Sequence, residues 1–222
     1  MQFKIHNEGW VYFVSSAILT IILLPFFKIL GFFLLILSIF IFYFFRDPKR
    51  SIPADDFIVA PADGIITYIG ETKSPLNDTD DKNTYKKISI FLSIFNVHVN
   101  RMPVDGKIMK IKYFSGNFFN ASLDKSSDKN ERNIISIENN SQKYYVVQIA
   151  GLIARRIVCE VNENQELNKG DKLGIIKFGS RVDLYLPNKC ELLVAKDQNV
   201  IGGETIVSNP NSLKKINSYS LK

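Results

Sequence analysis

A serine preceded by glycine lies late in the chain, in Lys177-Phe178-Gly179-Ser180-Arg181-Val182-Asp183-Leu184-Tyr185-Leu186-Pro187, and its hydroxyl is a candidate nucleophile. Leu173, Ile175 and Phe178 before it, and Val182, Leu184 and Leu186 after it, have the alternation of two half-buried strands joined by a tight turn. The pattern predicts a hairpin whose tip exposes Ser180 on a stiff support. Taken alone, Gly-Ser is turn material: glycine supplies unusual backbone angles and serine hydrogen-bonds locally. A serine hydrolase would carry its nucleophile in GxSxG, which Phe178-Gly179-Ser180-Arg181-Val182 does not supply. The two histidines, His6 and His98, leave little for an imidazole-based metal centre, and none is expected. Cys159 and Cys190 form no CxxC pair, and nothing resembles a cleavable secretory signal, so both read as unpaired thiols in a reducing compartment.

The company Ser180 keeps changes its meaning. In chain order the sequence contains Ala60-Pro61-Ala62-Asp63-Gly64, Phe95-Asn96-Val97-His98-Val99-Asn100-Arg101-Met102-Pro103, Asn130-Glu131-Arg132-Asn133 and the Gly179-Ser180 stretch, all behind a hydrophobic N-terminus. Together these resemble the phosphatidylserine decarboxylase family in its short form, over most of the chain after Arg46. The resemblance implies a proenzyme. Ser180 Oγ attacks the Gly179 carbonyl, the amide becomes an ester, and elimination followed by hydrolysis leaves a pyruvoyl group at position 180. The products are a β chain, Met1 to Gly179, and an α chain, from position 180 to Lys222, held together as a heterodimer. The implied cofactor is therefore covalent pyruvate made from Ser180. The implied reaction converts the membrane phospholipid phosphatidylserine to phosphatidylethanolamine. Such a decarboxylation needs an electron sink, because losing the carboxylate leaves a carbanion that no side chain stabilises alone, and a ketone fixed in the protein meets that need.

His98 and Asp63 match the family's motif positions for the base that activates the serine and the carboxylate that supports it, the logic of an assisted nucleophile. Histidine suits proton shuttling because its ordinary pKa is about 6.5. Outside the motif, His98 reads as a satisfied strand histidine and Asp63-Gly64 as a turn. Longer members of the family carry H-x-x-H-x-P. Here Arg101 stands where the second histidine falls, which leaves open whether His98 serves both self-cleavage and the later protonation. Arg155-Arg156 and Arg132 read either as guanidinium forks for the substrate's phosphate or carboxylate, or as solvated charges at strand ends.

Two apolar runs, Trp10 to Phe27 and Ile29 to Phe45, are broken by Lys28 with Pro25 and Gly31 nearby, and predict a helical hairpin. Each helix would measure about 25 to 27 Å, slightly under the ~30 Å hydrocarbon core, so spanning and shallow interfacial hairpins both remain open. Lys4, Arg46, Lys49 and Arg50 flank the pair, and a spanning hairpin would put both ends and the following domain in the cytoplasm, at the cell membrane. From Pro53 onward the texture is all-β: short β-branched and aromatic segments separated by Gly, Pro, Asn and Asp. Predicted strands are Ile65 to Ile69, Ile88 to Leu92, Val97 to Arg101, Lys107 to Phe114, Asn133 to Ile137, Lys143 to Ile149, Ile157 to Val161, Leu173 to Phe178 and Val182 to Leu186. Glu71 to Lys87 reads as a mobile loop, Gly202-Gly203-Glu204-Thr205 as a plain turn and Ser208 to Lys222 as a fraying tail.

Ala60 to Gly64 and Lys169 to Ile176 also look like the paired elements of lipoyl and biotinyl carrier domains. The expected fold is therefore mainly β, a flattened sandwich of that type over residues 51–222, behind a membrane-associated hairpin over residues 1–50. No lysine lies at the apex where a carrier would be modified, although a membrane-tethered carrier or adaptor is the rival reading. With 222 residues, 46% of them apolar, the chain can bury one good core. The net charge of +6 would suit nucleic acid or anionic lipid, and the hydrophobic N-terminus favours lipid and argues against nucleic acid. Lys107, Lys110 and Lys112 are candidates for a lipid-facing side.

Overall fold

The computed structural model describes residues 4–76, 83–116, 130–151, 156–177 and 180–210. The hairpin consists of α1 (Asn7–Leu23) and α2 (Lys28–Phe44). The first helix starts three residues before Trp10 because His6, in extended conformation, caps it, its Nδ1 accepting from the Glu8 N–H at 3.3 Å. Pro25 lies in the turn that separates the helices. Across the hairpin, the Thr20 and Ser38 hydroxyls meet at 3.3 Å, and each also bonds a carbonyl of its own preceding turn. Its outer faces are bare: Val11 is 75% exposed, Ile21 72% and Ile29 90%. These are not helices of a buried core. Neither is long and apolar enough to cross a membrane among the described residues.

The rest is antiparallel sheet. The strands are β1 (Ile58–Val59), β2 (Gly64–Lys73), β3 (Thr84–Leu92), β4 (Val99–Arg101), β5 (Gly106–Phe114), β6 (Arg132–Asn139) and β7 (Gln142–Ala150), then β8 (Arg156–Cys159), β9 (Glu166–Leu167), β10 (Lys172–Lys177), β11 (Ser180–Pro187), β12 (Glu191–Leu192), β13 (Asn199–Val200) and β14 (Ile206–Asn209). Eight of them form one sheet in the order β13-β2-β3-β11-β7-β6-β5-β9, and two smaller sheets run β4-β10-β8 and β1-β14-β12. Alternation decides the layering. On β11, Val182, Leu184 and Leu186 join Ile88 and Ile90 of β3, Val146 of β7 and Leu173 and Ile176 of β10 in the main core. Val99 and Ile175 of the small sheet pack instead against Ile41, Phe44 and Phe45 at the hairpin's base. The mainly β sandwich behind a helical hairpin is as the sequence predicts.

Three expectations change. The strands around Gly179-Ser180 are not a hairpin: β10 pairs with β4 and β8, whereas β11 pairs with β3 and β7, so the chain crosses between sheets there. Ser180 is consequently buried, not exposed at a tip. The alternation of two adjacent strands looks the same whether they pair with each other or with others, which is why local pattern misled. Glu71 to Lys87 is strand at both ends, β2 running to Lys73 and β3 starting at Thr84 and the two pairing antiparallel, while residues 77–82 lie outside the described residues. Ser208 and Asn209 are buried in β14 and do not fray, while residues 211–222 of the predicted tail lie outside the described residues.

Candidate active site

Ser180 opens β11, with Leu92 of β3 on one side and Ala150 of β7 on the other. Its side chain shares the inner face with Val182, at 0% exposure, and Oγ has no hydrogen-bond partner among the described residues. Leaving a buried hydroxyl unpaired costs about 1–3 kcal/mol, so an orphan of this kind calls for a reason other than stability.

His98 shows the same anomaly. Its Nδ1 lies 3.0 Å from the Asn96 carbonyl, which can only accept, so the proton sits on Nδ1 and Nε2 presents a bare lone pair. Nε2 is buried with no hydrogen-bond partner among the described residues. Burial, opposed by the Asn96 hydrogen bond and assisted by the nearby Arg46 charge, pushes the imidazole pKa down to about 4. At neutral pH it is an uncharged base.

Two crossings bring these residues' segments together. Leu92 leads through a turn to His98, and Ile176 leads through the inter-sheet crossing to Ser180. At one end Leu92 pairs with Ser180, and at the other the Ile176 N–H donates to the His98 carbonyl at 3.4 Å. Asn96 fastens the turn, its Oδ1 accepting from the Ser93 N–H and hydroxyl, both at 2.8 Å. Next to His98 on the same strand face, Asn100 ends a chain of buried amides: Asn133 Nδ2 donates to Gln148 Oε1 at 3.0 Å, and Gln148 Nε2 donates to Asn100 Oδ1 at 2.9 Å. That leaves Asn100 Nδ2 as another of the buried polar atoms without a hydrogen-bond partner among the described residues, which also include Ser89 Oγ and the Nε atoms of Arg50 and Arg101.

Asp63 is placed differently from the expected support for the histidine. Arg50 Nη2 donates to both of its oxygens at 2.8 Å and the Gly202 N–H to one at 2.8 Å, and no hydrogen bond joins it to His98 among the described residues. Gly64 beside it has no room for a Cβ, which would collide with the Phe91 carbonyl. Arg101, in the place of a second histidine, is a buried fastener: Nη2 bonds Asp47 Oδ1 at 2.7 Å and Nη1 the Gly170 carbonyl at 2.9 Å. Lys172 completes an ion pair to the other Asp47 oxygen.

Of the other predicted residues, Arg132 packs over the Phe114 ring, 4.4 Å from its centroid, on the sheet face opposite Ser180. Arg156 is exposed at the start of β8. Gly179 and Arg155 lie outside the described residues. Sequence reading missed Phe44, Arg50, Asp47, Gln148 and Gly202. Arg46-Asp47-Pro48-Lys49-Arg50 looked like a basic membrane flank, and only its single acid hinted at pairing. Gln148 and Asn133 were legible as polar residues at inward positions of otherwise apolar strands.

The family model for phosphatidylserine decarboxylase matches residues 37–208. The chain belongs to the phosphatidylserine decarboxylase family. Relatives named phosphatidylserine decarboxylase proenzyme, from Rickettsia typhi (strain ATCC VR-144 / Wilmington), Rickettsia prowazekii (strain Madrid E) and Rickettsia akari (strain Hartford), are each 49% identical over 211 residues, covering 92% of this chain and 90% of the relative. The family is one of enzymes, which sets aside the carrier and adaptor reading. All four motifs, from Ala60 to Pro187, lie inside the matched region of this decarboxylase family member.

Proposed function

We propose that this protein is a proenzyme that cuts itself between Gly179 and Ser180, and that the mature form decarboxylates phosphatidylserine to phosphatidylethanolamine at a membrane surface. The observation that carries the reading is a pair of buried atoms without hydrogen-bond partners among the described residues, Ser180 Oγ and His98 Nε2, on segments tied together at both ends.

In the first step His98 Nε2 takes the Ser180 hydroxyl proton as Oγ bonds to the Gly179 carbonyl carbon. The proton then passes to the residue 180 nitrogen as its bond to that carbon breaks, giving an ester. Loss of the residue 180 Cα proton expels the Gly179 carboxylate, and water replaces the nitrogen, releasing ammonia and leaving a ketone. Ser180 fits this fate because its backbone is already the first rung of a doubly paired strand. Cutting before it leaves the ladder hydrogen bonds of β11 beyond position 180 to β3 and β7 in place. The α chain also keeps β13 against β2 and β14 against β1, so the two products stay interleaved as one heterodimer.

The pyruvoyl group, when present, draws off the electrons left by departing carbon dioxide. The chain's own part is to keep His98 neutral and dry for proton transfer and to hold the start of β11 rigid. Apolar hairpin surface and a net charge of +6 favour an anionic bilayer, and helices of 17 residues, about 25 Å long, favour a shallow seat over a full crossing.

Denaturing electrophoresis of the purified protein beside Ser180→Ala tests the proposal. Two fragments from the parent and one full-length band from the variant are expected. A parent that stays whole while decarboxylating phosphatidylserine refutes it.

A further inference from the structure

The strip that leaves the hairpin, residues 44–50, touches the family's motif residues one after another. Phe44, the last residue of α2, is fully buried, with its ring centroid 4.2 Å from that of His98 and the planes 34° apart. Arg46 Nη2 donates to the Phe95 carbonyl at 2.7 Å, gripping the turn that leads into His98. Asp47 binds Arg101, and Arg50 binds Asp63. A passive tether has no need of this: joining an anchor to a domain requires no buried aromatic ring and no buried carboxylate, which would be costly without partners.

Two contacts bear directly on the His98 imidazole. One is the Asn96 carbonyl, which accepts from Nδ1 at 3.0 Å. The other is the Phe44 ring against its face. Resting on the decarboxylase reading above, we propose that Phe44 is a positioning residue for the reaction: it fixes the plane of the His98 imidazole and keeps water from Nε2, so the hairpin's last turn is a wall of the active site.

The histidine's electrostatics agree with that placement. Desolvation is the largest cause of its lowered pKa, and Arg46 is the charged group acting on it; the Asp63 carboxylate that acts on Arg46 is itself engaged by Arg50. Removing the ring admits water and reduces the desolvation, leaving the smaller Arg46 effect in place.

The chain has only His6 and His98, so both imidazoles can be followed in histidine-labelled full-length protein by nuclear magnetic resonance. In the uncleaved Ser180→Ala background, adding Phe44→Ala is expected to raise the His98 midpoint by a pH unit or more towards 6.5. In protein with Ser180 intact, Phe44→Ala is expected to slow self-cleavage tenfold or more. In its processed fraction, kcat on short-chain, monomeric phosphatidylserine falls similarly, KM changes less than twofold, and the acid limb of the pH profile moves up. If Phe44→Ala fails to fold, Phe44→Leu keeps an apolar contact, and a smaller upward shift of the His98 midpoint is expected. An unmoved His98 midpoint, or a normal kcat with only vesicle binding impaired, overturns the role of Phe44. Absence of self-cleavage and decarboxylation in the parent protein would instead sink the decarboxylase reading on which it rests.

Discussion

The two faces of β11 bury polar groups in opposite ways. On the outer face Arg181 and Asp183, each 1% exposed by side chain, are locked together, Nε to Oδ1 at 2.8 Å and Nη2 to Oδ2 at 2.9 Å. On the inner face, one residue away, the Ser180 hydroxyl has no hydrogen-bond partner among the described residues. A charge taken out of water must be paired or the fold fails, whereas a lone hydroxyl is a tolerable penalty. On the proposed reading the difference separates scaffold from chemistry: the pair belongs to the scaffold, and the Ser180 hydroxyl is the group held for a reaction.

The largest effect expected is at the unpaired face. Ser180→Ala abolishes both the fragments and the activity, yet by chemical denaturation the uncut chain is as stable as the uncut parent or up to about 1 kcal/mol more so, because an orphaned polar atom is gone. A marked loss of stability would mean that the hydroxyl has a structural partner after all. At the paired face Asp183→Ala leaves the Arg181 charge buried and is expected to cost about 3–5 kcal/mol in the same measurement. Replacing both, as Arg181→Met with Asp183→Leu, is expected to restore most of that stability and leave self-cleavage intact. Failure to cleave in a well-folded double variant would move the pair from scaffold to chemistry.

Acid sharpens the contrast further. His98 binds a proton near pH 6.5 when unfolded but only near pH 4 when folded, so between those values the unfolded state holds more protons and stability rises with pH. The contribution is fully present above about 6.5 and is lost as pH falls towards 4, by roughly 3 kcal/mol. Urea unfolding of Ser180→Ala across this range, compared with the same chain carrying His98→Asn, isolates it: the histidine-free chain lacks that part of the slope. The smallest effect is expected of Arg132→Ala, on the outer face over Phe114, with decarboxylation rates within twofold of the parent.

Much of this was legible in the residues. Alternation along Leu173 to Leu186 marked both strands, and the uninterrupted apolar runs marked the hairpin, because burial of one face leaves a periodic trace. Pairing leaves none, so Gly179-Ser180 read as an exposed tip when Ser180 begins a central strand. Motif resemblance singled out His98 and Asp63 but not their partners. Nothing local says that Asp63 is gripped by Arg50 and by a backbone N–H of Gly202, or that Phe44 covers His98, since these contacts join residues that only the fold brings together. Arg101 was ambiguous for the same reason; its fork is filled by Asp47 and Gly170.

The most direct test is the intact mass of the C-terminal fragment from active protein. A fragment running from position 180 to Lys222, with a keto group in place of its amino terminus, is the expected result. A free amino group at that position, or activity residing in an unbroken chain, would contradict the account.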